Sequence, residues 1–469
     1  MALKFETIVS DGISQLSYFL GDDGTRTAAV IDPRPDSKIY VDLARRHGLA
    51  ITHIFETHIH ADFMSGSRDL AARCPGATIY ASGEGGAEYG FECETIGDGD
   101  RFELGKTVLI ARHTPGHTPE HLSFLAASSG SEDRPWGVFS GDSLFAGSAG
   151  RPDLLGESHA AELEEQLFHT LRDFYLELDD GVAVHPCHGS GSACGASISD
   201  RPVTTIGYER ETNPFLQIGD LDSFRAFVRE GVPPVPAHYP RMKKVNAQGP
   251  WAAGHLPFVQ PMTAERFREA VRAGEATLLD TRNMLAFGGG HINGAINIGG
   301  QPELSVWAGD MLEPDKPLLL VMDDDRQLSE IVALLLRTGF QRFAGYLAGG
   351  MASWIMAGYP IREIRQIDAE ELAREAESVQ VLDVRSDSEW EAGHVPNARH
   401  HYVAAMRGGA DGFAELDCDR PVAVYCGSGY RASIAASLLE RAGYCDVRNV
   451  PGSWMAWRKH DLPVETPGA

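Results

Sequence analysis

At 469 residues the chain is too long for one ordinary core, and its length points to about three domains at roughly 150 residues each. Hydrophobic residues make up 43% of it and the formal net charge is −25, which excludes a disordered chain and argues against gripping a phosphate backbone, a task for clustered Lys and Arg. No window approaches the ~18 consecutive apolar residues of a membrane helix. In chain order, the first segment carries Glu6 and Asp11 and no apolar stretch of signal length. Strands such as TAAVIDP and GVFSGDS then alternate with helices such as AAELEEQLFHTL, so residues 1–235 are expected to form an α/β sandwich. Residues 236–262, rich in Pro and polar residues, read as a semi-rigid connector.

The last 200 or so residues contain an internal repeat. LLDTRNMLAFGGGHINGA from Leu278 parallels VLDVRSDSEWEAGHVPNA from Val381, with Asp280 and Asp383, and His291 and His394, each 103 apart. Gly349 and Gly452, Trp354 and Trp457, and Pro360 and Pro463 keep that offset. Between them, Gly339 and Gly443 are 104 apart, so the first copy is one residue short just before. Repeats of this size are duplicated α/β domains, expected at 263–362 and 366–464, each large enough for its own core.

Histidines gather just past apolar strands, where loops on a rigid scaffold carry chemistry. ITHIFETHIHAD presents His58, His60 and Asp62; ARHTPGHTPEH presents His117 in a Gly and Pro turn; VFSGDS presents Asp142; VHPCHGSGSACG presents His188. Imidazole and carboxylate suit Zn or Fe, and two His with one carboxylate match the donor set of non-haem Fe(II) oxygenases. Four motifs in this order resemble the metallo-β-lactamase superfamily over residues 1–200. In its two-metal hydrolases position 63 would be a histidine; here it is Phe63, which cannot ligate. HTPGHTPEH, GDSLFAGSAGRPDLLG and GSGSACG further resemble the persulfide dioxygenase branch. That resemblance implies one Fe(II) per chain held by His58, His117 and Asp142. It leaves His60, Asp62 and His188 as groups that orient ligands or face substrate, and Arg151 to hold a substrate carboxylate or pin its own loop. His53, His113, His121, Cys187 and Cys194 read as structural.

In VAVYCGSGYRASIAASLL, Cys426 follows an apolar strand and precedes a helix, so N–H groups of a curled loop and the helix dipole favour its thiolate. Four residues separate Cys426 from Arg431, a spacing that resembles rhodaneses; the resemblance makes Gly427, Ser428, Gly429 and Tyr430 a sulfur cradle, with Arg431 stabilising charge. In the first copy the same register falls on Asp323, within three consecutive aspartates, so a rhodanese fold without catalysis is expected there. Seven cysteines without CxxC spacing suit a reducing, cytoplasmic setting.

The two resemblances together imply a sulfur-oxidising enzyme that acts on a small-molecule thiol persulfide and O2, with sulfite or thiosulfate exchanged at Cys426. Neither nucleic acid nor membrane is an expected partner, and a homodimer is compatible with the spare domain. The alternatives are a glyoxalase II-like thioester hydrolase, which would want a second metal, and a non-catalytic sensor or scaffold for sulfur species.

Overall fold

The computed structural model describes residues 3–195, 197–230, 234–407 and 416–467; positions 231–233, at the end of the expected first domain, and 408–415, in the expected last one, lie outside the described residues. Two compact units emerge, residues 1–256 with 336–339, and residues 257–335 with 340–469. No helix among the described residues is long and apolar enough to cross a membrane.

The first unit holds two six-stranded sheets. One runs in the order Leu3–Ser10, Gln15–Asp22, Thr27–Ile31, Ala50–Phe55, Thr78–Ser82, Glu94–Ile96; the other runs Thr204–Thr205, Ala183–Pro186, Gly137–Gly141, Leu122–Ser128, Thr107–His113, Arg101–Leu104. Their facing sides share one core that includes Tyr18, Phe55, Phe124 and Phe139. Helices cover the outer faces through separate cores, around Phe19, Tyr40 and Leu70 on one side and Leu167, Val184 and Phe224 on the other. Four layers result, helix, sheet, sheet, helix, as the alternating strand and helix pattern leads one to expect.

The stretch expected as a connector contains the helix Tyr239–Gln248, which belongs to the first unit. Tyr239, Met242 and Asn246 are its buried face, at helical spacing, with Pro240 in the first turn where its missing N–H costs nothing. One of those three core positions is polar, which hides the periodicity from a search for apolar residues.

The second unit contains two five-stranded parallel sheets of the same order. The first is Pro261–Met262, Phe343–Leu347, Leu318–Val321, Thr277–Asp280, Ile296–Asn297; the second is Arg365–Gln366, Val447–Asn449, Val422–Tyr425, Gln380–Asp383, Arg399–His400. The repeated Asp and His are structural locks. Arg282 donates to both oxygens of Asp280 and to the Gly290 carbonyl, and Arg385 does the same with Asp383 and Gly393. His291 and His394 each place Nδ1 on a carbonyl four residues back, Phe287 and Trp390.

Candidate functional site

The loops that carry the candidate ligands each follow a strand of one of the two sheets. His58 follows Ala50–Phe55, His117 follows Thr107–His113, Asp142 directly follows Gly137–Gly141, and His188 follows Ala183–Pro186. Gly141 has a left-handed φ of 51°, and a Cβ there would meet His121 Nε2 at 2.5 Å, so only glycine delivers Asp142 at this turn.

His58, His117 and Asp142 are buried and bring one ligand atom each within 4.8 Å of one another. His58 Nε2 lies 3.8 Å and His117 Nε2 3.5 Å from Asp142 Oδ2. Neighbouring groups fix both tautomers. Asp32 accepts the Thr57 backbone N–H at 2.8 Å and the Thr57 hydroxyl at 2.9 Å, so Thr57 Oγ1, 2.9 Å from His58 Nδ1, is left to accept. His117 Nδ1 donates to the Arg151 carbonyl at 3.0 Å. Both Nε2 atoms therefore carry lone pairs. Burial, reinforced by the neighbouring His60 and His117, holds His58 well below the usual histidine pKa, and burial lowers His117 as well against the pull of Asp142. Both rings are neutral, the form that ligates. His58 Nε2 and Asp142 Oδ2 are buried with no hydrogen-bond partner, as are His60 Nδ1 and Asp62 Oδ1 beside them. An orphaned buried polar atom costs about 1–3 kcal/mol, so convergence of two orphans with a third lone pair fits a cation.

His60 does not join that trio. Its Nε2 lies 3.2 Å from both Asp32 Oδ1 and Glu56 Oε2. His188 is held between carboxylates, Nδ1 at 2.7 Å from Asp142 Oδ1 and Nε2 at 2.7 Å from Asp62 Oδ2. Burial works to lower its pKa, but Asp142 and Asp62 more than offset that and push it up to about 10. Phe63 is fully buried, with its ring 4.4 Å from that of His60 and 6.3 Å from that of His188. Asp62, His188 and Cys194 form a second group of nearby donors, but both nitrogens of His188 are already engaged. The Arg151 fork closes on Asp153 with two 2.7 Å bonds, and Arg151 NH1 donates to the Ala193 carbonyl. Its guanidinium pins a loop, and its carbonyl aims His117.

Several groups here had no motif to announce them. Asp32 sits at the end of the buried strand Thr27–Ile31 in a left-handed conformation, φ 51°, and its only trace in the sequence is an Asp-Pro ending an apolar run. Asn246 donates to the carbonyls of His60 and Phe63 and accepts the Ser65 N–H, so the helix Tyr239–Gln248 braces the loop that carries His58. His121 accepts the Asp142 N–H at 3.0 Å.

In the second unit Cys426 is buried directly after Val422–Tyr425, and the Gly429 N–H donates to its Sγ at 3.1 Å. Gly429 has φ 113° and caps the helix Tyr430–Arg441, a conformation that favours glycine. The Gly427 and Ser428 carbonyls accept from Met455 and Gly452, which clamps the loop from behind. The Arg431 fork is paired with Glu389, and Cys426 is near enough to bear on its charge. Both guanidinium nitrogens donate to Glu389, at 2.6 and 2.7 Å, and Glu389 closes a capping box with Ser386. Burial works to raise the Glu389 pKa, but Arg431 brings it down to about 2. In the first copy Asp325, not a loop carbonyl, accepts from Gly349, the residue that matches Gly452.

The family described as metallo-beta-lactamase superfamily matches residues 11–188, and the rhodanese-like domain matches twice, at 263–357 and 368–460. A hydroxyacylglutathione hydrolase of Gloeobacter violaceus is 30% identical over 217 residues, covering 43% of this chain and 83% of the relative. A mitochondrial persulfide dioxygenase of Bos taurus is 29% identical over 203 residues, covering 43% of this chain and 71% of the relative. A solved metallo-beta-lactamase from Staphylococcus aureus superposes with a TM-score of 0.65 at 34% identity, covering 74% of this chain and 99% of that one. The two relatives bear different activities at nearly equal identity, so the choice between them rests on the side chains of the site.

Proposed function

We propose, because this chain belongs to the metallo-beta-lactamase superfamily and carries two rhodanese-like domains behind that fold, that it is a sulfur-oxidising enzyme. Its first unit acts as a non-haem Fe(II) persulfide dioxygenase, and Cys426 performs sulfur transfer. Overall, a thiol persulfide RSSH, O2 and water give RSH, sulfite and two protons. One iron per chain, held by His58, His117 and Asp142, would supply the redox chemistry that lets O2 react with a closed-shell persulfide. The protein's own part is to hold those rings neutral and aimed, through Thr57 and the Arg151 carbonyl.

One observation carries the choice of a single metal. Phe63 stands where a second ion's ligand is needed, and both nitrogens of His188 are engaged by Asp62 and Asp142. At the other site, the Cys426 thiolate with an added sulfur passes it to sulfite. The sulfur–sulfur bond breaks, thiosulfate leaves and the thiolate returns; the reverse loads the cysteine from thiosulfate. The Gly429 N–H donates to the sulfur at 3.1 Å, a contact available in both directions. Free thiols throughout suit a reducing compartment, and we place the enzyme in the cytoplasm.

A thioester hydrolase is the second reading, favoured by the 30% identical hydrolase and by the donors of Asp62, His188 and Cys194. The deciding experiment is anaerobic purification with iron, metal analysis, and oxygen uptake on adding a thiol persulfide. One iron per chain and one O2 consumed per persulfide are expected. Two metals per chain, thioester cleavage and no oxygen uptake would replace the dioxygenase with the hydrolase; no turnover of either substrate would leave a sensor.

A further inference from the structure

Within the second unit, the helix Tyr430–Arg441 that follows the Cys426 loop lies along the first rhodanese-like copy. Tyr430, Ser433, Ser437 and Glu440 recur at helical spacing on one side. The Tyr430 hydroxyl donates to the Gly299 carbonyl at 2.8 Å, and the Ser433 hydroxyl donates to Asn297 Oδ1 at 2.5 Å. The Asn297 N–H donates to Ser437 Oγ at 3.1 Å, and His291 Nε2 lies 2.7 Å from the Glu440 carboxylate. The Met284 sulfur stands 2.7 Å from where a Cβ on Gly429 would be. The first copy therefore touches both residues that open this helix, and one of them, Gly429, directs its N–H at the Cys426 sulfur.

Glycine at 299 is not required by its own backbone, since its φ lies outside the left-handed region. Nor is it required by the fold. Asn297 and His400 hold equivalent places in the two sheets, so the residue two beyond each is Gly299 in one copy and Tyr402 in the other. A Cβ at 299 would stand 3.1 Å from Tyr430 Cε2, so what the missing side chain provides is room for the Tyr430 ring.

Resting on the sulfurtransferase reading above, we propose that Tyr430 is a positioning residue for Cys426. Its phenol, anchored on Gly299 of the copy that has lost its own nucleophile, fixes the helix start so that the Gly429 N–H stays aimed at the sulfur. A helix N-terminus favours a thiolate only while its N–H groups point at it, and hydrogen bonds weaken steeply with misalignment. Burial, aided by Glu303, pushes the Tyr430 phenol well above its usual pKa, so it remains a donor throughout the working range.

The test uses the full chain and two variants, Tyr430→Phe and Gly299→Ala, the second disturbing the ring from the opposite copy. Alkylation at the Cys426 peptide is followed against pH by mass spectrometry, alongside thiosulfate-to-cyanide sulfur transfer and thermal melting. In both variants the alkylation midpoint is expected to rise by about one pH unit, with kcat down about tenfold and KM for thiosulfate changed less than about twofold. Alkylation profiles that match the parent in both variants would overturn the proposal, as would losses that merely follow a lowered melting temperature. A parent with no sulfur transfer, whose alkylation midpoint still moves in the variants, would sink the sulfurtransferase assignment and leave the positioning role standing.

Discussion

The Asp32 carboxylate controls a proton two bonds away from any ligand atom. It accepts a hydrogen bond from the Thr57 hydroxyl, which leaves Thr57 Oγ1 to accept from His58 Nδ1 and frees His58 Nε2. In Asp32→Asn an amide N–H faces Thr57 Oγ1 instead, the hydroxyl turns toward His58 Nδ1, and the ring's proton moves to the ligating side. Iron affinity is expected to fall about 10–100-fold in a metal titration, with the fold retained by circular dichroism. Phe63→His restores a donor beside Asp62 and is expected to raise bound metal above one per chain and lower oxygen uptake; unchanged stoichiometry would count against Phe63 as the reason for a single ion. Glu389 is the counterpart in the second unit. Its pKa falls from 4.5 in the unfolded chain to about 2, so the pairing with Arg431 contributes stability above pH 4.5 that is lost as pH falls through 2. Glu389→Gln should therefore melt below the parent at neutral pH, and the gap should close between those two values. The three proposed iron ligands stand in recognisable motifs because ligation restricts residue type. Asp32 and Glu389 act through hydrogen bonds that many residues could make, and only folding shows whom they meet.

Among the elements, the helix Tyr239–Gln248 does more than connect. Asn246 alone satisfies the carbonyls of His60 and Phe63 and the N–H of Ser65, three buried groups on the loop that carries His58. Asn246→Ala leaves them unpaired and is expected to cost about 2–4 kcal/mol of stability by urea unfolding of the first unit. A fragment ending at residue 235 should lose metal binding that one ending at 256 retains. The duplicated sheets were legible from the offset of 103 between their Asp–Arg and His–carbonyl locks, which demand fixed residues at fixed spacing. This helix was not, because the residue that matters most on its inner face is an amide.

For the molecule as a whole, the two proposed chemistries are separable. Cys426→Ser is expected to abolish thiosulfate-to-cyanide transfer while oxygen uptake with a thiol persulfide continues, and chelation of iron should do the reverse. A shared loss in either case would mean that neither unit works without the other. The first rhodanese-like copy keeps the Asp–Arg and His–carbonyl locks of the second and has no cysteine at the end of its strand Leu318–Val321. Where the active copy offers the Ser428 carbonyl to the N–H of Gly452, the silent one turns a carboxylate, Asp325, on Gly349. The strand registers correct the expected match, since Asp280 faces Val321 where Asp383 faces Tyr425, so Met322 and not Asp323 stands in the place of Cys426. Met322→Cys would put a thiol ahead of three aspartates, with a carboxylate rather than a carbonyl on the glycine behind the loop. One substitution would restore the sulfur but not the loop that surrounds it.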